Sequence, residues 1–441
     1  IGNNSRSLWS ADKNNLAPRI GLAYSMFKGT VIRAGYGIFV VPLGADRSSV
    51  NQSGYTLRTS LVASTDNGRS YIASLSDPFP GGWPKPPGAS LGLATDVGRA
   101  VSYFRPQAVN GYMQRYSFGL QQQLPQEFVF DVSYVGNRGT KLSATKQYDG
   151  IPISLLSTSL SRDQQTINYL SAQVPNPFYP LPGSNIAGTN VARNQLLRPY
   201  PQFTGISVDE PQGFSWYHSL QTTLERRLKN GFTFQANYTY SKMMEATAFL
   251  NDADPIPAQV VSDLDRTHRI ALSGIYELPF GSGKRYLSSA HPVIRHATEG
   301  WQLQAVWQKN TGQPIGFGNA ILTGDIRDVP LSGSAQTLNT WFNTAAFNRN
   351  AAQQLQYNIV TMSARFSGVR APGVDVWDIS GVKNFLLTEK LRMQFRAEFL
   401  NAMNHSNLAA PNTAPTNSLF GRITATTGFP RYIHFGLKLI Y

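Results

Sequence analysis

The stretch Phe232-Thr-Phe-Gln-Ala-Asn-Tyr-Thr-Tyr-Ser241 has an apolar or aromatic residue at every even position and a polar one at every odd position. Successive side chains of an extended strand point to opposite faces, so a period of two yields one greasy face and one polar face; a helix would scatter the same residues around its axis. The same alternation recurs in Gly111 to Leu124, Phe128 to Asn137, Trp216 to Arg227, Arg269 to Leu278, Gly300 to Asn310, Val374 to Phe385, Leu391 to Asn401 and Arg431 to Tyr441. Arg19 to Tyr24 and Thr30 to Val40 add two more near the start. Short polar turns at Pro125-Gln126-Glu127, Leu228-Lys-Asn-Gly231 and Leu386-Leu-Thr-Glu-Lys390 join neighbouring segments, which predicts antiparallel hairpins.

Between the hairpins lie stretches rich in Gly, Pro, Asn and Ser, roughly residues 41 to 110, 138 to 215, 243 to 267 and 313 to 372. Loops of that length are uncommon inside compact soluble domains. Short turns at one end and long loops at the other are the rule for barrels of the bacterial outer membrane, short towards the periplasm and long towards the exterior. A soluble sandwich gives the same alternation with its faces reversed. The charges favour the barrel: Arg115, Glu225, Arg227, Glu277, Arg392, Arg396 and Glu398 all fall on the polar faces of their strands, and Tyr112, Tyr238, Tyr240, Trp301 and Trp307 gather near strand ends. Aromatic girdles occupy such positions at membrane interfaces.

Composition narrows the function. The 441 residues carry 39 Lys and Arg against 25 Asp and Glu, a formal net charge of +14, yet charged residues make up only 15%. The absence of cysteine excludes a disulfide scaffold, a thiolate metal site and a cysteine nucleophile. No run approaches the roughly 18 apolar residues of a transmembrane helix, a test that leaves barrels untouched. The chain begins Ile1-Gly-Asn-Asn, with neither Met nor a signal-peptide pattern. About eleven strands is an odd count, whereas single-chain bacterial barrels have even ones, so the expectation is a part of a larger barrel.

The final strand ends on an aromatic residue. His434, Gly436, Leu439 and Tyr441 reproduce the polar, glycine, apolar, aromatic spacing by which barrel assembly machinery recognises outer-membrane barrels. Wider similarity rests on Asn14-Asn-Leu-Ala-Pro-Arg-Ile-Gly-Leu-Ala-Tyr24, Val31-Ile-Arg-Ala-Gly-Tyr-Gly-Ile-Phe39, Leu196-Leu-Arg-Pro-Tyr-Pro-Gln-Phe203, Asp265-Arg-Thr-His-Arg269 and Ala397-Glu-Phe-Leu-Asn-Ala-Met-Asn-His405. With these segments the chain resembles the C-terminal barrel of Oar-like TonB-dependent outer-membrane receptors of acidobacterial type. The resemblance implies a barrel of about 22 strands closed by an N-terminal plug, which imports a substrate with energy delivered by the TonB complex. Residues 1–441 would be the C-terminal part of that barrel, with the plug and N-terminal domains absent from it.

Other motifs compete. Gly88-Ala-Ser-Leu-Gly92 matches the nucleophile elbow of hydrolases, but Pro84-Lys-Pro-Pro87 stands where that motif needs a strand, which disfavours catalysis by Ser90. Phe280-Gly-Ser-Gly-Lys284 lacks the first glycine and the final hydroxyl of a phosphate loop and reads as a turn. Asp263, Asp265 and His268, with Asn251 and Asp254, lack the spacing of a calcium loop, and the six histidines have no zinc spacing. No nucleic-acid-binding pattern accompanies the positive charge, which suits anionic glycolipid heads at the outer leaflet better.

The expectation is therefore an all-β, antiparallel transmembrane barrel with long extracellular loops in the cell outer membrane. It needs no catalytic group, cofactor or metal, and its partners are outer-membrane lipid, lipopolysaccharide, the barrel assembly machinery and the TonB complex through the plug. Phe79, Trp83, Phe178 and Tyr179 are the loop aromatics best suited to stack on a substrate such as an oligosaccharide, peptide or siderophore. A passive porin and a secreted or surface adhesin that binds carbohydrate stand as the alternatives.

Overall fold

The computed structural model describes residues 10–41, 54–57, 59–103, 105–107, 109–181, 184–388 and 391–441. Eleven long strands build it: β1 (Arg19–Phe27), β2 (Thr30–Val41), β3 (Gly111–Gln123), β4 (Phe128–Gln147), β5 (Gly205–Lys229), β6 (Phe232–Ala246), β7 (His268–Glu277), β8 (Trp301–Asn310), β9 (Val374–Leu386), β10 (Arg392–Leu400) and β11 (Tyr432–Ile440). They pair in chain order, each antiparallel to its sequence neighbours, in one continuous sheet that also holds two short off-path strands. Among the described residues β1 and β11, the ends of this path, are each paired on one side only.

Register preserves the two faces that the alternation predicts. Leu220 of β5 lies opposite Tyr134 and Tyr240, while Gln221 lies opposite Ser133 and Thr239. The apolar rows are half-buried to exposed and face outward; the polar rows line the inner face. The β5–β6 hairpin closes on Asn230 and Gly231 at φ 54 and φ 75. Both lie in the left-handed region that an Asn-Gly pair enters at little cost and that suits the twist of a two-residue hairpin. Of the turn 386–390, residues 389–390 lie outside the described residues.

The structure corrects two boundaries. The stretch 138–215 is not loop throughout, because β4 continues to Gln147 and β5 begins at Gly205. Their ladder shifts register between Gly139 and Leu142 and again before Ala144. These bulges scramble the side-chain alternation while the backbone pairing continues. At the other end of the sheet, the turn expected at 280–284 is present, and between it and β8 the connection also holds a helix, α2 (Pro292–Thr298).

That helix explains a lysine on an outward position. Lys383 of β9 pairs with Trp301 and Phe395 on the outward face, yet it is only 4% exposed. Its Nζ donates to the carbonyls of His296, Ala297 and Glu299 at 2.7, 2.9 and 2.7 Å. These are acceptors that the C-terminal turn of a helix leaves without partners, at its negative end. Trp301 donates its indole N–H to Ala297 as well, at 3.0 Å.

The long loops are folded. Helix α1 (Gln164–Ser171) is capped by Asp163, which accepts from the Thr166 N–H at 3.0 Å and the Thr166 hydroxyl at 2.7 Å, and it buries Ile167 and Leu170. Over the last strands, Phe317, Phe342, Phe347 and Phe420 pack edge to face or tilted at centroid distances of 4.6 to 6.4 Å, around a fully buried Val329. Each such ring pair adds about 0.5–1.5 kcal/mol beyond its area burial. The loops thereby form a canopy with a core of its own.

Candidate functional site

The canopy is stapled to the strand ends by residues on both. Asp265, fully buried, accepts from the Met243 N–H at 2.6 Å and pairs with Arg370 at 2.5 Å. Glu245, at the top of β6, pairs with Arg365 and accepts the Ser262 hydroxyl at 2.7 Å. On the opposite side Arg198 donates to the carbonyls of Asp149 and Thr204 at 2.7 and 3.1 Å, while Gln195 bonds the Pro201 carbonyl at 2.9 Å. Asp149 is fully buried; one carboxylate oxygen accepts from the Tyr200 N–H at 2.8 Å and, among the described residues, the other has no partner. Burial pushes this carboxyl above the usual carboxylate range, against the opposing pull of the Tyr200 N–H and the Arg198 charge.

A third corner shapes a cavity. Asn401, at φ 47 just beyond β10, donates its backbone N–H to Asp378 at 2.8 Å and its side-chain amide to the carbonyls of His405 and Phe429 at 2.9 and 3.1 Å. Asn404 accepts from the Arg431 N–H at 3.0 Å at the entry to β11. Held this way, loop 401–431 roofs a hollow of about 670 Å³ on the inner face of β9–β11. Its walls are Val374, Val376, Leu400, Phe429 and Tyr432, with Asp378 and Asn407 among the polar groups. Phe429 is 86% exposed and Tyr432 60%. An apolar cavity with a few fixed polar groups is the usual form of a small-molecule site.

The four aromatics singled out in the sequence lie on two separate loops. Phe79 and Trp83 pack against each other at a tilt of 52° with centroids 4.5 Å apart, and Trp83 is 70% exposed. Phe178 is half-buried beside Asn176, which accepts its N–H at 2.9 Å, and Tyr179 is exposed. In β11, His434 and Gly436 lie on the inner face opposite Glu398 and Arg396, while Leu439 lies on the outward face opposite Met393. His434 Nδ1 is 3.5 Å from Glu398, and Leu439 and Tyr441 are exposed.

The competing motifs are tied into local structure. The Ser90 hydroxyl donates to the Pro87 carbonyl at 2.6 Å and closes a turn. The Asp265 carboxylate is taken by Arg370, Asp254 accepts from the Asn251 N–H at 2.8 Å, and His268 Nδ1 is 2.9 Å from the Tyr238 hydroxyl. Among the described residues no three His, Asp or Glu side chains converge on a metal position. Sequence reasoning missed the hollow. Phe429 and Tyr432 stand on either side of Pro430 with no periodic signal to mark them.

The chain is similar in structure to the ferric-catecholate import receptor Fiu of Escherichia coli K12, with 9% identity, a TM-score of 0.40, and coverage of 96% of this chain and 34% of that one. It is similar to the outer membrane transporter YddB of Escherichia coli at 8% identity and a TM-score of 0.42, covering 94% and 38% of the two chains. For the siderophore receptor PirA of Acinetobacter baumannii the values are 9%, 0.43, 97% and 41%. The chain thus spans about a third to two fifths of the length of these structures. No curated protein matches the sequence. The family description "outer membrane beta barrel domain" matches residues 1–434. The eleven-strand antiparallel meander, with its outward apolar face and polar inner face, is therefore a transmembrane sheet of the cell outer membrane, and the chain belongs to the outer membrane beta barrel domain family.

Proposed function

We propose that residues 1–441 are the C-terminal barrel portion of an Oar-like TonB-dependent receptor that imports a scarce substrate, an oligosaccharide, peptide or siderophore. The hollow at the loop end of the inner face carries the reading, because a non-covalent capture site belongs where external loops meet the lumen. The two one-sided edges support the rest. Unpaired backbone groups in hydrocarbon cost several kcal/mol each, so β1 and β11 call for further strands, about eleven in a barrel of the 22-strand type. A plug encoded outside these residues would fill the lumen and couple it to the TonB complex. On this reading Phe429 and Tyr432 hold the substrate at the mouth, and Phe79, Trp83, Phe178 and Tyr179 make first contact. His434, Gly436, Leu439 and Tyr441 deliver the chain to the barrel assembly machinery.

The test is uptake by cells expressing the full natural protein, with panels of labelled oligosaccharides, peptides and ferric siderophores. One compound is expected to enter only while the inner membrane is energised, and Phe429→Ala with Tyr432→Ala to slow its entry at least tenfold. Entry that continues after the proton gradient is collapsed would mark a passive porin; surface binding without entry would mark an adhesin. Unchanged uptake in Trp83→Ala and Tyr179→Ala variants would remove the loop aromatics from the route.

A further inference from the structure

A second site lies on the outside of the wall, where β3, β4 and β5 rise out of the apolar band. Arg138 stands ten residues above Phe128 on β4. At about 3.3 Å per residue and a tilt of about 40° that is about 25 Å, the height of the outward apolar band of such barrels. Arg138 therefore sits at the upper boundary of the membrane, on the same outward face as Tyr134 and Leu220.

Around it is a hollow of about 480 Å³ lined by Tyr116, Arg138, Phe214, Trp216, His218 and Gln259. The register sets Arg138 opposite Trp216, and His218 opposite Gly136 and Lys242. A Cβ at Gly136 would run into the Tyr116 ring, which lies across this glycine as the floor, so any side chain there would displace the ring. The Arg138 guanidinium is 5.9 Å from the Phe214 ring centroid, and Phe214 stacks on Trp216 at 5.8 Å and 12°. His218 Nδ1 bonds the Tyr134 hydroxyl at 2.5 Å. Among the described residues neither Arg138 nor Lys242 has a carboxylate within ion-pair distance. Arg138 thus lines a polar and aromatic recess directly above the lipid-facing side chains, and Lys242 stands next to it, across the ladder from His218.

We propose that this recess binds the headgroup of a phosphorylated, acylated glycolipid of the outer leaflet. Arg138 and Lys242 take the phosphate, Trp216 and Tyr116 offer faces for a sugar ring, and the acyl chains run down over Phe118 and Leu220. Charge complementarity and continuity with the lipid-facing band commit the site to a lipid rather than to a soluble anion. The proposal depends on location in the outer membrane and not on the transport reading.

The test uses the full natural protein in detergent, purified deep-rough lipopolysaccharide as the probe, and the same glycolipid after enzymatic removal of its phosphates. Arg138→Ala with Lys242→Ala is expected to weaken binding at least tenfold. Removing the phosphates from the probe has the same effect, and inorganic phosphate at millimolar concentration does not compete. Arg33→Ala with Arg396→Ala removes equal charge from the inner face and leaves binding unchanged. Binding within twofold of wild type in the Arg138/Lys242 variant, or equal loss in the inner-face variant, overturns the site. Competition by free phosphate shows an ion site and overturns it as well. A photoreactive residue at Gln259 in the otherwise unaltered protein gives a second reading in intact cells: crosslinking to the phosphorylated glycolipid is expected, and crosslinking to a protein or only to phospholipid overturns the proposal.

Discussion

The wall and the canopy are made of the same chain but held by different forces. In the wall the side chains at the centre of each strand face either lipid or lumen, and Leu220 stays 45% exposed. Cohesion there comes from the continuous backbone ladder, whose groups have no alternative partner in hydrocarbon. The canopy stands in water and is held as a soluble domain is, by a buried cluster of rings and buried ion pairs. The lesson is that a substitution's cost depends on which medium refills the space: lipid closes over a shortened wall residue, and nothing closes over a shortened canopy residue.

Four measurements would sharpen or break this contrast. The largest effect is expected for Phe342→Ala, which empties a fully buried ring site and should cost about 3–5 kcal/mol. Hydrogen exchange should rise across 311–373 while β4–β8 stay protected; equal loss of protection in both would erase the distinction. Next comes Asp265→Ala, which leaves Arg370 largely buried without its counter-ion, a change that costs about 3 kcal/mol or more where such pairs are dry. Its signature is faster proteolysis of the loops with no change in the heat-dependent gel migration of the barrel. Leu220→Ala, a wall substitution of similar size, should cost only about 1–2 kcal/mol, the transfer part without the cavity part. A larger loss in denaturant titration would show that the wall packs as tightly as the canopy.

The smallest effect is pH dependence at Asp149. Burial raises its carboxyl pKa, so the closed loop binds a proton more tightly than the opened one. The closed form is therefore best stabilised at low pH, near the ordinary carboxylate value of about 4, and loses that advantage as pH rises through the raised value. Hydrogen exchange of 196–204, corrected for intrinsic rates, should report easier opening at pH 8 than at pH 5. Asp149→Asn should flatten the difference, and a profile that survives it would assign the dependence elsewhere.

How much of this was legible follows from the same contrast. In Phe232–Ser241 each residue declares its face by parity, because both media are uniform along the strand. The upper parts of β4 and β5 stand in the canopy, where bulges near Leu142 break parity and water lies on both sides, so 138–215 read as loop. The rings of Phe317, Phe342, Phe347 and Phe420 meet only through the fold and have no common period. The segments that carried the family resemblance have a physical reading: Asp265, Arg198 and Asn401 are the residues that fasten loops to strand ends. Their pattern was visible in the sequence; their partners Arg370, Asp149 and Phe429 were not.

Lys383 marks where the wall stops facing lipid. It lies opposite Trp301, the first residue of β8, at the short-turn end of the sheet, and its ammonium is received by carbonyls of the turn that closes α2. One side chain thus fastens the helix to the strand two elements later, and the connection before β8 becomes a hem along the lower rim of the wall.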